Sequence, residues 1–191
     1  MKYIPVQETI PQSKRQEFNE KIVYLIDSDT AVGAGITKED IYNAYTGDGG
    51  LHGLERSMFD SYAKYSEAKK EVENGQFFTP PYLCKFITDC LQVDKEDVVA
   101  DLTFGMGSFF NFMPSEANLY GCEIDTKAYK VAHSLYPAAN LENKDIRLYQ
   151  PPMRFDIVVG NPPFNLRWWI EDKKEMPSQL YYCQKAAELL K

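Results

Sequence analysis

The chain has 191 residues, of which 44% are hydrophobic and 26% are charged, and its formal net charge is −7. This hydrophobic content excludes a disordered chain, and the acidic balance argues against a protein whose main task is to grip nucleic-acid phosphates nonspecifically. No apolar run approaches the ~18 residues of a membrane span and the first residues lack a signal-peptide core, so we expect a cytoplasmic protein without a membrane partner.

Residues 1–74 are predicted to form a polar, helical N-terminal extension. Ser13 begins a capping-box pattern, Thr37 begins a second helix, and a third helix is predicted over about residues 55–73, ending at Asn74 and Gly75. The glycine-rich residues 47–53 lack the Gly-Lys-Ser/Thr ending of a phosphate loop, which favours a flexible turn.

The pattern changes at residues 75–80, Gly-Gln-Phe-Phe-Thr-Pro, where we place the start of a second domain that runs to residue 191. Thr79 is a plausible N-cap for a helix with prolines in its first turn. The predicted apolar face of this helix consists of Leu83, Phe86, Ile87, Cys90 and Leu91. A helix start can bind a ligand carboxylate, although these residues alone are equally compatible with a well-capped helix that binds nothing.

A strand, a glycine turn and a helix are predicted next. Residues 98–102 form an apolar run ending near Asp101, and residues 103–108 contain Gly105 and Gly107. This arrangement is the first unit of an open α/β sheet, which binds ligands at the carboxyl ends of its strands. Position 110 is Phe110 where a dinucleotide fingerprint has its third glycine, and this weakens a dinucleotide-binding interpretation.

Acidic residues follow the next two predicted strands. Residues 119–124 end at Glu123, which lies 18 residues after Gly105, close to the ~20 expected for a carboxylate that binds ribose hydroxyls. The less favoured alternative is that Glu123 and Asp125 are ordinary loop carboxylates. After a helix predicted over residues 126–135, Asp145 lies at another strand end and could accept a hydrogen bond from an adenine amine, or simply form a turn.

The last predicted strand, residues 155–159, runs directly into Gly-Asn-Pro-Pro-Phe at residues 160–164. The Asn161 side-chain oxygen and the Pro162 carbonyl could each accept one hydrogen of an exocyclic amine, while Phe164 stacks on the base that carries it. Two acceptors aimed at those hydrogens stabilise the nitrogen as it becomes positive during attack. The alternative is a rigid turn after a core strand.

Both tryptophans of the chain follow this loop. Trp168 and Trp169, next to Arg167, could stack on DNA bases or grip the backbone, or could be core residues. Residues 171–175 are predicted to be a solvated loop, and the helix that follows Pro177 is predicted to reach the last residue without a further strand.

These ordered motifs resemble those of γ-class N6-adenine DNA methyltransferases, which include modification subunits of type I restriction systems and fused restriction-modification enzymes. The resemblance implies a Rossmann-like α/β fold with a doubly wound seven-stranded sheet and S-adenosylmethionine as methyl donor. It assigns the cofactor to Phe78, Thr79, Asp101, Thr103, Gly105, Gly107, Glu123, Ile124 and Asp145. It assigns the target adenine to Asn161, Pro162 and Phe164.

The resemblance also implies DNA as a partner and possible specificity or restriction subunits. The sequence departs from the pattern of this family in three ways. Leu102 replaces a common proline, no segment is typical of a DNA-recognition domain, and a seven-stranded fold would need three more strands, so we expect a truncated product that lacks C-terminal parts. The four cysteines form no Cys-x-x-Cys pair and none follows a proline, so we expect neither a metal site nor C5-cytosine chemistry.

Two other functions remain open from the sequence. The chain could be a catalytically silent module that binds DNA or protein partners of a restriction-modification system. It could also be an amine methyltransferase that acts on protein glutamine or RNA, because Asn-Pro-Pro with an aromatic residue resembles those enzymes as well.

Overall fold

The computed structural model describes residues 14–29, 35–46, 56–73, 76–116, 118–164, 166–170 and 174–191. The helices are α1 (Arg15–Asp27), α2 (Lys38–Ala44), α3 (Tyr62–Glu73), α4 (Pro81–Leu91), α5 (Thr126–Leu135) and α6 (Ser178–Leu189). The strands are β1 (Val99–Asp101), β2 (Leu119–Glu123), β3 (Asn140–Asn143), β4 (Ile157–Val158), β5 (Arg167–Ile170) and β6 (Lys174–Pro177). The features predicted at Ser13, 47–53, Asn74, Gly75 and 171–173 lie outside the described residues.

Four parallel strands form the central sheet in the order β3-β2-β1-β4. β1 lies in the middle and is buried along its whole length, which explains its continuous apolar sequence. Because all four strands are parallel, their carboxyl ends lie at one edge of the sheet.

Both faces of this sheet are covered, as in a doubly wound fold. Val99 belongs to the core cluster on one face and Ala100 to the cluster on the other, as the alternation of side chains along a strand requires. The N-terminal helices share the first cluster, because Ile22 and Tyr42 pack there together with Val131 of α5. Tyr182 of α6 belongs to the second cluster.

Local helix signals are confirmed at two of the three sites tested. Thr37 and Asp40 form a complete capping box at α2, and α5 has the predicted bounds, with Asp125 as its N-cap. The prediction for α4 is wrong by one residue, since Pro80 and not Thr79 occupies the N-cap position. Pro81 forces the residue before it into an extended backbone, and Pro80 adopts that conformation with ψ 139°.

Three further predictions need correction. The third helix begins at Tyr62, after a short 3-10 turn at Arg56–Met58. The glycine turn at residues 103–108 is followed by a 3-10 turn at Phe110–Phe112, where a helix was expected. Most of the predicted apolar face of α4 does not face the core: Ile87 packs against it, but Phe86 is 64% exposed, and the buried residues of the helix are Cys84 and Thr88.

The C-terminal part contains two features that the sequence did not predict. Strands β5 and β6 form an antiparallel hairpin directly after the Asn-Pro-Pro-Phe loop. After α6, Leu190 forms a parallel bridge with Phe155, next to β4, where no strand pairing was expected. Within the described segments, no helix is long and apolar enough to cross a membrane.

Gly121 on β2 tests how tightly the strand ends are packed. A Cβ atom at Gly121 would lie 2.3 Å from the Asp101 carbonyl oxygen, and that backbone cannot move without breaking the sheet. We expect Gly121→Ala to destabilise the protein by about 3 kcal/mol. Gly35→Ala is the control: among the described residues no atom lies within 4 Å of the added Cβ, so only its positive φ should cost about 1 kcal/mol. Equal losses of stability in urea unfolding would contradict the close approach.

Candidate active site

A cavity of about 370 Å³ lies at the carboxyl ends of β1, β2 and β4. It brings together nine of the twelve predicted site residues, namely Phe78, Thr79, Asp101, Thr103, Gly105, Glu123, Ile124, Asp145 and Asn161. These residues come from five separate stretches of the chain, so the fold gathers them into one site.

Three predicted site residues do not line this cavity. Gly107 has φ +81° and packs against the core, where a Cβ atom would lie 2.6 Å from the ring of Tyr136. Phe164 is 43% exposed and contacts the ring of Phe77, with 6.3 Å between ring centres. Pro162 is partly buried beside the cavity, and its neighbour Pro163 contributes to the wall.

Asp101 ends β1 inside the protein, with 1% of its surface exposed. Its Oδ1 accepts a hydrogen bond of 3.0 Å from the Thr103 N–H. Burial raises the pKa of Asp101 to about 8; the Thr103 N–H opposes this shift, and the Glu123 carboxylate adds to it. In the ligand-free protein at neutral pH this carboxyl group is therefore mostly protonated, and a cationic ligand bound beside it would favour its ionised form.

Glu123 ends the neighbouring strand and holds the glycine turn. Its two oxygens accept hydrogen bonds of 2.8 Å from the Gly105 N–H and from the Asp125 N–H. Burial raises the pKa of Glu123, although these backbone donors favour the ionised form. Gly105 has φ +57°, and a Cβ atom there would lie 2.9 Å from the ring of Phe78, so glycine allows the turn to pass between ring and carboxylate.

The cationic side chains that line the cavity are already paired with other carboxylates. Lys144 binds Glu142, and Arg147 binds Asp145. Among the described residues, therefore, no lysine or arginine forms an ion pair with Asp101 or Glu123. This cavity is suited to a ligand with positive charge.

Asp145 is more constrained than the sequence suggested. Its carboxylate caps the 3-10 turn Ile146–Leu148 by accepting the Arg147 N–H at 2.8 Å, and both of its oxygens lie 3.0 Å from Arg147 Nε. Burial acts to raise the pKa of Asp145, but the hydrogen bonds and charge of Arg147 outweigh it and hold the pKa below its usual value. The turn-forming role that the sequence left open is present, and the adenine-binding role stays a prediction.

The side-chain amide of Asn161 is oriented by a backbone carbonyl of the motif at residues 75–80. Its Nδ2 donates a hydrogen bond of 2.9 Å to the Phe77 carbonyl, and this contact leaves Oδ1 as the acceptor. The Asn161 backbone carbonyl accepts a bond of 3.3 Å from Thr103 Oγ1. Phe77 and Thr103 thus fix the side chain and the backbone of Asn161 at the cavity wall.

Helix α6 fixes the backbone of the same loop. Buried Ser178 donates from Oγ to the Pro163 carbonyl at 2.6 Å, and Tyr182 donates from its hydroxyl to the Val159 carbonyl at 3.0 Å. Gly160 is required between them, because a Cβ atom there would lie 2.3 Å from the Tyr182 hydroxyl and 2.5 Å from Asp101 Oδ1.

Sequence reasoning missed several residues of the cavity wall. These are Gln76, Phe77, Phe104, Ser108, Phe109, Lys144, Ile146, Arg147, Leu166 and Trp168. Gln76 Nε2 also donates to Asp125 Oδ2 at 3.4 Å. Gln76 and Phe77 lie within a motif that the sequence did identify, so their position beside Thr79 was the available signal. Trp168 was predicted to stack on DNA bases or to be a core residue, not to line this cavity, and Arg147 carried no signal. In the described part of the chain, no group of three His, Cys, Asp or Glu residues could hold a metal ion.

Solved structures with similar folds define the class. A modification subunit of a putative type I restriction enzyme from Vibrio vulnificus aligns with 74% of this chain and 38% of its own, at 16% identity and a TM-score of 0.50. A putative class I S-adenosylmethionine-dependent methyltransferase from Listeria monocytogenes aligns with 96% of this chain and 54% of its own, at 12% identity and a TM-score of 0.51. The fold is that of S-adenosylmethionine-dependent methyltransferases.

Sequence comparison specifies the family. The model of the N-6 DNA methylase family matches residues 58–188, more than half of the chain. The chain belongs to this family. The type I restriction enzyme MjaIX methylase subunit of Methanocaldococcus jannaschii is 32% identical over 123 residues, which cover 56% of this chain and 22% of that protein. The type II methyltransferase M.HincII of Haemophilus influenzae is 27% identical over 104 residues, covering 53% of this chain and 19% of that protein.

The buried charge of Asp101 predicts a pH-dependent loss of stability. Its pKa of about 8 lies above the ordinary 3.8, so between these values the folded state holds a proton that the unfolded state has released, and stability falls as pH rises through this window. We expect Asp101→Asn to stabilise the ligand-free protein at pH 8 by on the order of 2 kcal/mol, with a gain that vanishes near pH 4. Thermal unfolding across this range measures it.

Asp89→Asn is the matched control for this measurement. Asp89 is an exposed carboxylate on α4, paired with Lys85, and its replacement should change the melting temperature little at any pH. A gain for Asp101→Asn that does not depend on pH would show that packing, and not the buried charge, is responsible.

Proposed function

We propose that this chain binds S-adenosylmethionine and a flipped adenine and transfers a methyl group to the adenine N6 in DNA. The observation that carries the proposal is the orientation of Asn161. One hydrogen of its NH₂ group is held by the Phe77 carbonyl at 2.9 Å, and this bond orients the amide so that Oδ1 stays available as an acceptor for the substrate. An exocyclic amine, which has two hydrogens to donate, matches that acceptor.

The cavity suits the proposed donor by charge and by shape. S-adenosylmethionine carries a sulfonium and an ammonium group, and Asp101 and Glu123 are buried carboxylates without a cationic side chain in an ion pair with them in the described residues. When bound, the donor supplies an electrophilic methyl group. Asp101 and Gly105 would hold its methionine part, and Glu123 its ribose hydroxyls, since each oxygen of Glu123 keeps a lone pair beyond its backbone bond.

The remaining predicted contacts complete this assignment. Thr79 would hold the donor carboxylate near the start of α4, and Thr103 lines the wall between Asp101 and Asn161. Ile124, which is 63% exposed at the rim, and Asp145 would flank the donor adenine.

The target base would lie at the Asn-Pro-Pro-Phe loop. Asn161 Oδ1 and the Pro162 carbonyl each accept one amine hydrogen and so stabilise the positive charge that develops on the nitrogen. The rings of Phe77 and Phe164, in edge contact at 63° between planes, provide aromatic surface on which a base can stack. An adenine in duplex DNA must leave the helix to reach this loop.

The family and the relatives support DNA as the substrate. The matching family model is that of N-6 DNA methylases, and one relative is the methylase subunit of a type I restriction enzyme. The chain spans about a fifth to two fifths of the length of its curated relatives, so we also propose that specificity or restriction subunits, or further domains, complete DNA recognition. Residues 75–191 would form the methyltransferase part of the protein. We propose that the protein acts in the cytoplasm.

The decisive measurement separates donor binding from methyl transfer. We expect calorimetry to show S-adenosylmethionine binding to the wild-type chain and at least tenfold weaker binding to Asp101→Asn, which removes the charge but keeps the shape. Asn161→Ala should bind the donor normally and lower tritium-methyl transfer to adenine-containing DNA by about 10²- to 10³-fold, the usual cost of removing one group that stabilises the transition state.

Asn118→Ala is the control, because Asn118 binds the Lys95 carbonyl at 2.6 Å, away from the cavity. Its transfer rate should equal that of the wild type. Donor binding without transfer to any DNA would instead support a silent module, and transfer to RNA or to a glutamine peptide in preference to DNA would support the amine methyltransferase alternative.

A further inference from the structure

The β5–β6 hairpin is both the continuation of the target loop and a wall of the donor cavity. It begins three residues after Phe164, and Leu166 and Trp168 line the cavity beside Asp145. The strand alternates, so that Trp168 is half-buried, with its ring 5.7 Å from that of Tyr181, while Trp169 is 62% exposed. The hairpin therefore lines the proposed donor site and continues directly from the loop that forms the proposed target site.

The hairpin is anchored on the target-loop side through α6. Ser178 holds the loop and the start of the hairpin together: its N–H donates to the Leu166 carbonyl at 3.0 Å, and its Oγ donates to the Pro163 carbonyl at 2.6 Å. Loop, hairpin and the start of α6 thus form one hydrogen-bonded unit.

Arg147 joins this unit to the loop on the donor side. Its Nε lies 3.0 Å from both oxygens of Asp145, its Nη1 donates to the Trp169 carbonyl at 3.3 Å, and its guanidinium carbon lies 6.0 Å from the centre of the Trp168 ring. Asp145 is itself fixed, because it caps the turn that contains Arg147. A planar guanidinium can bind a carboxylate on one edge and a carbonyl on another, which a lysine ammonium cannot do with the same geometry.

We propose that Arg147 is a positioning residue that couples the donor site to the target loop through the β5–β6 hairpin. This inference rests on the proposed function. A ligand that contacts Asp145 and Trp168 orders the arginine between them, and the hairpin then holds the loop that carries Asn161. Binding at the two sites is mutually favourable for this reason, and the coupling must be reciprocal.

The test compares Arg147→Ala and Arg147→Lys with Arg167→Ala. Arg167 lies on the same hairpin but is exposed and paired with Glu175 at 3.0 Å, so its loss leaves the connection to Asp145 intact. The probes are S-adenosylhomocysteine, as a stable product analogue, and a DNA duplex with a mismatched adenine, whose affinity is measured with and without the analogue.

In the wild type and in Arg167→Ala, we expect the analogue to tighten DNA binding about fivefold or more and to slow amide exchange in β5 and β6. In Arg147→Ala, the hairpin should exchange faster even without ligand, analogue binding should remain measurable, and the factor by which the analogue tightens DNA binding should fall to about 1. Arg147→Lys should restore the charge but only part of this factor.

The outcomes that contradict the inference differ from those that contradict the proposed function. If Arg147→Ala retains the wild-type coupling factor, or if its ligand-free hairpin exchanges at the wild-type rate, the inference is overturned while the methyltransferase function stands. If the wild-type chain binds no S-adenosylhomocysteine, the proposed function fails and the coupling fails with it.

Discussion

Two buried carboxylates at adjacent strand ends set the geometry of this site, and in the part of the chain that the structure describes no lysine or arginine forms an ion pair with either of them. Asp101 and Glu123 end the parallel neighbours β1 and β2, and burying each charge costs several kcal/mol unless hydrogen bonds offset it. The N–H groups of Thr103, Gly105 and Asp125 offset part of this cost, and the raised pKa of both carboxyl groups reflects the part that remains. Because these donors belong to the loops after β1 and β2, the carboxylates determine the shape of both loops.

The buried carboxylate of Asp101 also restricts the residue at position 160, directly before the target loop. Asp101 Oδ1 would lie 2.5 Å from a Cβ atom at that position, so glycine is the residue that allows β4 to end beside the carboxylate. Asn161 follows immediately, and its amide is held by Phe77, 84 residues earlier in the chain. The donor cavity and the proposed acceptor are therefore parts of one packed arrangement, in which Tyr182 supports the strand end from behind.

The sequence predicted those features that depend on neighbouring residues. Strands β1, β2 and β4, helix α5 and the Thr37 cap follow from local apolar runs and capping patterns, and they are present. Strand β3, with the polar sequence Asn-Leu-Glu-Asn, was predicted only as a strand end before Asp145. The cap at Thr79 failed because two consecutive prolines move the helix start to Pro80. The amphipathic pattern of α4 predicted a face that is mostly exposed, because tertiary packing buries Cys84 and Thr88 instead. The bond between Arg147 and the Trp169 carbonyl also depends on tertiary packing that no local pattern specifies.

Charge and local geometry explain why this cavity differs from a dinucleotide site built on the same kind of sheet. A dinucleotide's pyrophosphate needs the N-terminus of a helix after the glycine turn, and here only the three-residue 3-10 turn Phe110–Phe112 follows. Asp101 and Glu123 would also repel phosphate, whereas they attract a cationic donor. If DNA is the substrate, as we propose, an acidic interior that favours such a donor also disfavours the phosphates of DNA. We therefore expect the DNA backbone to be contacted outside the cavity, with only the neutral base reaching Asn161.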